Sequence, residues 1–494
     1  MATEKMAAAA SMILPRSFSS GSLNLDLEDM GERSVPSGAS ELSIPAPSLA
    51  CTSLTSSESG RLRPPATSGM TAPAPASGRR RRSKFQRPLT QGYAMVYVGG
   101  MSSEASSPHI GRDSHLFGPG PKRILALSGG GVRGALSVAF LERIEQLLDQ
   151  KHGKEVRLGD HFDLIGGTST GALIAGALAM GYRTAQIKDF YVEHAQSVFR
   201  RRSWNLPILQ SKFDDDGLRQ QIEGVLGDRQ LGSDDLITGF ALVTKRLDTG
   251  SVWTLSNNPR APYWESGEGY IGNRHFPLSN LVRASTAAPH FFDPELLPIL
   301  PTPEPDAAPA ALGIEPNRQG LFVDGGVSPY NNPSLALLQL VSLKAHGLNW
   351  ALTPDQLTIT SIGTGSFRPR LSLDSLGVGR NARLAFHALM SMMADSEKQA
   401  LTLLQWLGET AQPWVIDSEI GTLADDAPPG GKLFRFQRYD VKLEPEWLAA
   451  ELGMEPSPAD LAAWRRIDDP GSVKAMFEMG VAAAQRQVRP EDWI

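Results

Sequence analysis

The sequence predicts an α/β fold whose mostly parallel central sheet is covered by helices on both faces. Short apolar runs typical of buried strands, at 124–127, 162–165 and 357–362, alternate along the chain with patterns typical of helices. Such alternation favours a parallel sheet with helices on both sides. Two of the runs continue through glycine-rich turns directly into helical patterns, which indicates two strand–turn–helix units.

A low-complexity extension precedes this pattern. Residues 1–118 are dominated by Ser, Pro, Ala, Thr and Gly and have no sustained apolar period. Such a segment cannot bury enough surface to offset the entropy of ordering, so we expect it to be mostly disordered, with a short strand or arm at 93–98. Its basic run at 79–82 suits contact with anionic lipid headgroups, although a solvated linker is the simpler interpretation.

The central segment, residues 119–370, holds the predicted sheet and forms the expected main domain. Its predicted elements are, in order, strand 124–127, helix 135–148, strand 162–165, helix 172–180, strands 240–244 and 251–255 with a turn at 248–250, helix 281–287, strand 321–323, helix 334–346 and strand 357–362. Glycine and other turn-forming residues separate these elements.

The C-terminal region, residues 371–494, is predicted to be mainly helical and to pack on the main domain. Helical patterns cover 381–406, 458–466 and 472–486. Ser457 is the expected N-cap of the second of these helices, with Pro458 in its first turn. The first pattern carries a methionine-rich apolar stripe, which is typical of core packing and also suits a cap that adapts to lipid.

Composition argues against several classes of protein. The 494 residues are 41% hydrophobic and 20% charged, with a formal net charge of -5, which suits a soluble globular chain better than a nucleic-acid-binding one. We find no run of roughly 18 apolar residues, so we expect no transmembrane helix, and we expect no signal peptide. The single cysteine, Cys51, rules out an intrachain disulfide and a thiolate zinc site.

The first chemical motif is the pentapeptide GTSTG at 167–171, between an apolar strand and a helix. It matches the G-x-S-x-G pattern of a nucleophile elbow, in which Gly167 and Gly171 relieve crowding and Ser169 projects its hydroxyl from a sharp turn. The N-terminus of the following helix favours developing negative charge at that serine. Taken alone, the pentapeptide is also consistent with a tight turn that carries a capping serine.

The second motif is SGGGVRG at 128–134, which also follows a strand and precedes a helix. The bare amides of Gly129, Gly130 and Gly131 suit an oxyanion hole, because no side chain obstructs them. Arg133 suits either stabilisation of an anion or pairing with a carboxylate that braces the loop.

The same loop has an alternative interpretation as a dinucleotide- or phosphate-binding site. Gly129, Gly131 and Gly134 satisfy the pattern G-x-G-x-x-G. That pattern requires an acidic residue at the end of the next strand. Here the next strand runs instead into the GTSTG elbow, which argues against a nucleotide cofactor.

The third motif is VDGG at 323–326, in which Asp324 ends a strand and Gly325 and Gly326 follow. A serine nucleophile needs a base, and a carboxylate at this position can project into a cleft. The usual base is histidine, and of the nine histidines only His290 lies in a loop that looks like part of a site. A triad through His290 is therefore the alternative to a direct dyad. Taken alone, the motif is also consistent with Asp324 as a structural turn former.

Together and in this order, the three motifs resemble the signatures of the patatin-like phospholipases. The stretches 163–167, 248–250 and 283–289 are similar to further parts of that family, and the resemblance covers roughly 121–370. One departure is Ser128, where the family often has aspartate. We expect little effect on catalysis, since the backbone amides of the glycines would hold the oxyanion.

The resemblance implies a three-layer α/β/α patatin-like fold in which 119–370 is the catalytic domain. It also implies hydrolysis of lipid acyl esters, as by a phospholipase A-type esterase, without a catalytic histidine, cofactor or metal. Mapped onto this sequence, Ser169 matches the nucleophile, Asp324 the base and the glycines at 129–131 the oxyanion loop. Within that loop we expect the amides of Gly130 and Gly131 to hold the oxyanion.

The expected partner is a membrane lipid or a lipid-like ester, with peripheral contact to a membrane surface. We expect no nucleic acid and no obligate protein partner, and we expect a cytoplasmic location. Two alternatives to the enzyme are a dinucleotide- or phosphate-binding module and a catalytically silent lipid-binding relative. The intact Ser169 and Asp324 argue against the silent relative.

Overall fold

The alternating apolar runs of the sequence form one sheet, as predicted. The computed structural model describes residues 111–198, 213, 215–301, 318–371 and 380–493. The strands are β1 (Lys122–Leu127), β2 (Leu164–Thr168), β3 (Gly239–Arg246), β4 (Val252–Ser256), β5 (Glu295–Pro298), β6 (Gln319–Asp324), β7 (Leu357–Ile362), β8 (Gly408–Glu409) and β9 (Phe434–Tyr439). Within the described ranges they follow the order β5-β6-β3-β2-β1-β7-β9-β8, and β4 pairs with β3.

The centre of the sheet is parallel. Strands β3, β2, β1, β7 and β9 pair in parallel with their neighbours along this order, and β8 adds in parallel to β9. The antiparallel pairings lie at the other end, where β3 pairs with β4 and β6, and β6 pairs with β5. These pairings confirm the prediction of a mostly parallel central sheet.

Helices cover both faces of the sheet. They are α1 (Arg112–Phe117), α2 (Gly134–His152), α3 (Leu158–His161), α4 (Thr170–Ala179), α5 (Thr184–Val198), α6 (Asp215–Leu226), α7 (Leu278–Ser285), α8 (Ser334–Ser342), α9 (Arg380–Leu407), α10 (Pro445–Trp447), α11 (Pro458–Trp464) and α12 (Val473–Gln487). None of the helices in the described ranges has the length and hydropathy needed to span a bilayer.

Two apolar cores lie on opposite sides of the sheet, because successive strand residues point to opposite faces. Leu125 and Leu127 of β1 pack in one core with residues of α2, α4 and α12. Ile124 and Ala126 pack in the other core with residues of α8 and α9. This arrangement confirms the three-layer α/β/α architecture that the resemblance implied.

The C-terminal region contributes strands as well as helices. Residues 435–439 of β9 pair in parallel with β7, a strand that the prediction of a mainly helical region after residue 371 did not include. Its charged residue Arg438 is buried beside Glu397 of α9 and Asp440, each with a carboxylate oxygen 2.8 Å from the guanidinium. These ion pairs join the long helix α9 to the sheet beneath it.

Helix α1 lies before the predicted domain boundary at residue 119. Helix α1 is ordered by packing, since Leu116 is buried and its carbonyl accepts a hydrogen bond from the Trp350 indole at 2.9 Å. The predictions for residues 1–110, which include the basic run at 79–82, the strand or arm at 93–98 and Cys51, lie outside the described residues.

Candidate active site

The ends of β2 and β6 meet beside β3. Thr168, the last residue of β2, pairs with Val243 of β3, and Asp324, the last residue of β6, pairs with the adjacent Thr244. β2 runs parallel to β3 and β6 runs antiparallel to it, so the two strands end towards each other along the same partner. The residue after β2 is Ser169, and the sheet therefore brings Ser169 and Asp324 together.

Ser169 occupies the tight turn between β2 and α4. Its φ of 55° is in the left-handed region, which a residue other than glycine adopts only when its surroundings hold it there. The turn also requires glycine at Gly167, because a Cβ there would lie 2.1 Å from the carbonyl carbon of Gly171. The hydroxyl thus sits at the tip of the turn, at the N-terminus of a ten-residue helix.

The two side chains are in direct contact. The Ser169 hydroxyl donates a hydrogen bond to Oδ2 of Asp324 at 2.6 Å. The other carboxylate oxygen, Oδ1, accepts the backbone amide of Gly326 at 2.7 Å, which fixes the orientation of the group. Gly325 and Gly326 form the first turn of a short 3₁₀ helix after β6.

Burial makes the Asp324 carboxylate a stronger base than an ordinary aspartate. The residue is only 6% exposed. Loss of solvation raises the pKa of Asp324 to about 6, while the hydrogen bonds from Ser169 and Gly326 and the charge of Arg283 act in the opposite direction. The group is therefore mostly ionised at neutral pH and is better able to accept a proton from the serine than a solvated aspartate.

The glycine loop lies beside the serine. A Cβ on Gly129 would be 3.0 Å from the Ser169 Cβ. The Gly129 amide donates to the Asn331 carbonyl oxygen at 3.1 Å, so it is engaged within the protein. We find no acceptor among the described residues for the amides of Gly130 and Gly131. Gly130 and Gly131, the two predicted oxyanion donors, are thus the glycines of this loop whose amides are not engaged within the described part of the protein.

Arg133 braces this loop. Its side chain is buried, donates from Nη1 to the Gly365 carbonyl oxygen at 2.9 Å and lies over the Phe367 ring, 5.4 Å from its centre. Burial lowers the pKa of Arg133 to about 10, so the guanidinium is still protonated at neutral pH. The sequence left two roles open for Arg133, stabilisation of an anion and bracing of the loop. These contacts favour bracing, because the partners of the guanidinium are the Gly365 carbonyl and the Phe367 ring. Gly134, the remaining glycine of the motif, begins α2.

An apolar cleft opens over the two side chains. It encloses about 1180 Å³, including the space at its open mouth, and Ser169, Asp324 and Gly129 lie in its wall. Its apolar lining is formed by Val132, Leu173, Phe190, Tyr191, Leu218, Ala288, Pro289, Phe291, Phe292, Val327, Leu389, Met390, Met393 and Ile467. Such a cleft suits a ligand with a long apolar part and one polar reacting group. The methionine-rich stripe of α9 therefore faces this cleft with Met390 and Met393.

The alternatives from the sequence find less support in this geometry. His290 is exposed, while Pro289 and Phe291 on either side of it line the cleft. The Ser169 hydroxyl reaches a carboxylate without it. The described residues contain no group of three or more His, Cys, Asp or Glu placed to hold a metal ion.

Sequence reasoning missed two contributors to the site. Ser285 accepts the backbone amide of Ser169 on its Oγ at 2.9 Å. Asn331 holds the glycine loop through its backbone carbonyl, which accepts the amide of Gly129. The stretch 283–289 is part of the resemblance, but these contacts involve backbone groups and leave no local pattern in the sequence.

Part of this chain is similar in sequence to known proteins. The profile of the family described as patatin-like phospholipase matches residues 125–338. Patatin-07 of Solanum tuberosum is 25% identical over 325 residues, which cover 64% of this chain and 75% of the relative. A cGAMP-activated phospholipase of Escherichia coli is 28% identical over 225 residues, which cover 44% of this chain and 55% of the relative.

The chain is also similar to proteins of known structure. Human GIVD cytosolic phospholipase A2 matches with a TM-score of 0.39 and 13% identity, covering 77% of this chain and 59% of that chain. The chain spans less than two thirds of the length of several relatives, including the E. coli phospholipase. The family profile spans the glycine loop, the elbow serine and the aspartate, so residues 125–338 of this chain resemble the patatin-like phospholipases.

Proposed function

We propose that this chain is a lipid acyl hydrolase that cleaves carboxylic ester bonds with a dyad of Ser169 and Asp324. The observation that carries the proposal is the 2.6 Å hydrogen bond from the Ser169 hydroxyl to the buried Asp324 carboxylate. The match of residues 125–338 to the patatin-like phospholipase profile and the phospholipase activity named for one relative support it.

In the first half of the reaction, Ser169 forms an acyl-enzyme. Its Oγ attacks the ester carbonyl carbon while its proton passes to Oδ2 of Asp324. The amides of Gly130 and Gly131 stabilise the oxyanion that develops on the carbonyl oxygen. The bond to the leaving alcohol then breaks, and Asp324 returns the proton to the alcohol oxygen.

In the second half, water releases the acyl group. Asp324 is again ionised and accepts a proton from a water molecule as that water attacks the acyl carbon. The bond to Ser169 Oγ breaks, the serine recovers its proton from Asp324, and the free fatty acid leaves. One carboxylate thus serves as base and then acid in each half, which requires a pKa near the working pH.

The lining of the cleft favours a lipid acyl chain as the group bound next to the ester. Leu389 and Met393 of α9, together with Phe291 and Leu218, present apolar surface to a ligand. On the same helix, Leu384 is 40% and Met392 is 67% exposed. We propose that this helix lies near the lipid surface from which the substrate enters, so that contact with the membrane is peripheral.

The catalytic unit, in this proposal, extends beyond residue 370. Met393 and Ile467 line the cleft, and β9 completes the sheet. Contacts also group the described residues into one compact unit. We therefore propose that the C-terminal region is part of the catalytic domain rather than a separate module.

A lipid-class hydrolysis panel tests the proposed function. The purified chain is incubated with phospholipids, lysolipids, galactolipids and acylglycerols, and released fatty acid is measured for the wild type and for Ser169→Ala. We expect hydrolysis of at least one class and loss of that activity by several orders of magnitude in Ser169→Ala. Full activity in the variant contradicts the dyad, and tight dinucleotide binding without any hydrolysis supports the phosphate-binding alternative.

A further inference from the structure

Ser285 lies directly beneath the elbow serine. It is the last residue of α7 and is fully buried. Its Oγ accepts the backbone amide of Ser169 at 2.9 Å, and its own hydroxyl donates to the Val243 carbonyl oxygen of β3 at 2.7 Å. The side chain therefore links the backbone of the elbow to the strand beside which β2 and β6 meet.

The residues after Ser285 hold the other member of the dyad. The backbone amide of Asp324 donates to the Ala287 carbonyl oxygen at 3.0 Å. Residues 285–287 thus accept a hydrogen bond from the backbone amide of Ser169 and another from the backbone amide of Asp324. A shift of this short segment would change the distance between the two reacting side chains.

Helix α7 is itself fixed in place. Arg283, close to the end of the helix, is only 1% exposed. Its Nη2 donates to Asp215 Oδ1 at 2.8 Å and to the Asp293 carbonyl oxygen at 2.9 Å. Ser285 therefore presents its hydroxyl from a rigid support, which is what a group that positions a catalytic residue requires.

We propose that Ser285 is a positioning residue that holds Ser169 in its left-handed conformation at hydrogen-bonding distance from Asp324. The inference rests on the proposed function, because it concerns the same reaction. The physical reason is that a serine with φ of 55° needs surrounding contacts to keep it there. Without the Ser285 hydroxyl, the amide of Ser169 loses its acceptor, and the elbow can relax away from the carboxylate.

The test compares Ser285→Ala with a matched control, Ser137→Ala. Ser137 of α2 is also buried, at 1% exposure, and its hydroxyl also donates to a backbone carbonyl, that of Gly363, at 2.7 Å. For each variant, kcat and KM are measured on the best lipid ester from the panel, together with the rate of labelling by a fluorophosphonate and the thermal unfolding midpoint.

For Ser285→Ala we expect kcat and the labelling rate to fall about 10²-fold, since small displacements of a reacting group cost about this much. KM should stay near the wild-type value, because the cleft is unchanged. Ser137→Ala should keep both rates near wild type. Wild-type kcat in Ser285→Ala overturns the inference, and so does an equal loss of kcat in the two variants.

Two further variants serve if Ser285→Ala does not fold. Ser285→Thr keeps the hydroxyl, and Ser285→Cys keeps a similar volume with a much weaker acceptor. High kcat in the threonine variant and low kcat in the cysteine variant supports the inference, while equal kcat in the two overturns it. The activity of Ser169→Ala distinguishes failure of the positioning role from failure of the proposed dyad. If Ser169→Ala is inactive while Ser285→Ala is fully active, only the positioning role of Ser285 is wrong. If Ser169→Ala is itself active, the proposed dyad is wrong.

Discussion

The hydroxyl of Ser169 lies 2.6 Å from the carboxylate of Asp324, although 155 positions separate the two residues in the chain. The contact follows from topology, since β2 and β6 end towards each other beside β3. Because the serine reaches a carboxylate directly, the basicity of that carboxylate should govern the reaction. We therefore make predictions for the pH dependence of the rate, for the free energy of unfolding and for the activity of variants in the wall of the cleft and in the glycine loop.

The acidic limb of the pH–rate profile should reflect Asp324. Burial raises the pKa of Asp324 to about 6, and only the ionised form can accept the serine proton. We expect kcat/KM on an uncharged ester to fall tenfold for each pH unit below about 6, whereas a solvated aspartate would hold the rate down to about pH 4. The profile of His290→Ala is the control and should coincide with that of the wild type. If the acidic limb of the pH–rate profile disappears in His290→Ala, the result would favour the triad through His290.

Replacing Asp324 by asparagine should stabilise the fold at neutral pH. A carboxyl whose pKa is raised on folding binds more protons in the folded state, so stability falls as pH rises from about 4 through about 6. The asparagine side chain would avoid burying a charge, still accept the Gly326 amide and donate to Ser169. We expect a gain of up to about 3 kcal/mol in the free energy of unfolding at pH 7.5. The gain should shrink towards pH 4 in denaturant titrations, and a variant that is less stable than wild type at both pH values contradicts the burial argument.

The wall that α9 contributes to the cleft should select for long acyl chains. Leu389 lines the cleft, whereas Met392 on the same helix is 67% exposed. Leu389→Gln should lower kcat/KM about tenfold for long-chain esters, because it removes apolar contact with the chain, and should leave short-chain esters nearly unaffected. Met392→Gln is the matched control and should behave as wild type on soluble esters. Equal effects of Leu389→Gln on long and short chains would place the acyl group elsewhere.

The glycine loop should tolerate no side chain at Gly131. This residue has φ of 58°, and a Cβ on it would lie 2.1 Å from the Ile467 carbonyl oxygen. Gly131→Ala should therefore displace the amides of the loop and lower kcat about 10² to 10³-fold, the usual loss for an oxyanion donor.

Gly153→Ala is the control for Gly131→Ala. Gly153 has a similar φ of 64°, but open space surrounds its Cβ position. We expect it to cost about 1 kcal/mol of stability and to leave kcat unchanged. Wild-type kcat in a folded Gly131→Ala variant would remove this loop from the proposed mechanism.

Local signals predicted much of the fold and the two residues of the proposed dyad. The strand pair around the turn at 248–250 and the helix over 381–406 correspond to β3, β4 and α9 within two residues at each end. Ser457 caps α11 as predicted, with its Oγ accepting the Asp460 amide. Ser169 and Asp324 are predictable because a glycine-flanked residue after a strand can project a functional group, which is a property of the local chain.

Contacts between distant segments could not be predicted in the same way. β9 was missed because Arg435 and Arg438 make its sequence look unlike a strand inside a sheet. Burial of Arg438 is stabilised by Glu397 and Asp440, and a tertiary ion pair of this kind leaves no mark on local periodicity. The position of Ser285 was missed for a similar reason, since its partners are a backbone amide and a backbone carbonyl.

Covalent labelling at the elbow tests the central claim most directly. The wild-type chain and Ser169→Ala are treated with a fluorophosphonate, digested and analysed by mass spectrometry. For the wild type we predict one adduct, on the peptide that contains Ser169, and a loss of lipid esterase activity as the adduct forms. For Ser169→Ala we predict no adduct that forms at a rate comparable to that of the wild type. Two results would contradict the account. One is an adduct on another residue of an active wild-type chain. The other is a Ser169→Ala variant that is labelled and hydrolyses lipid esters as the wild type does.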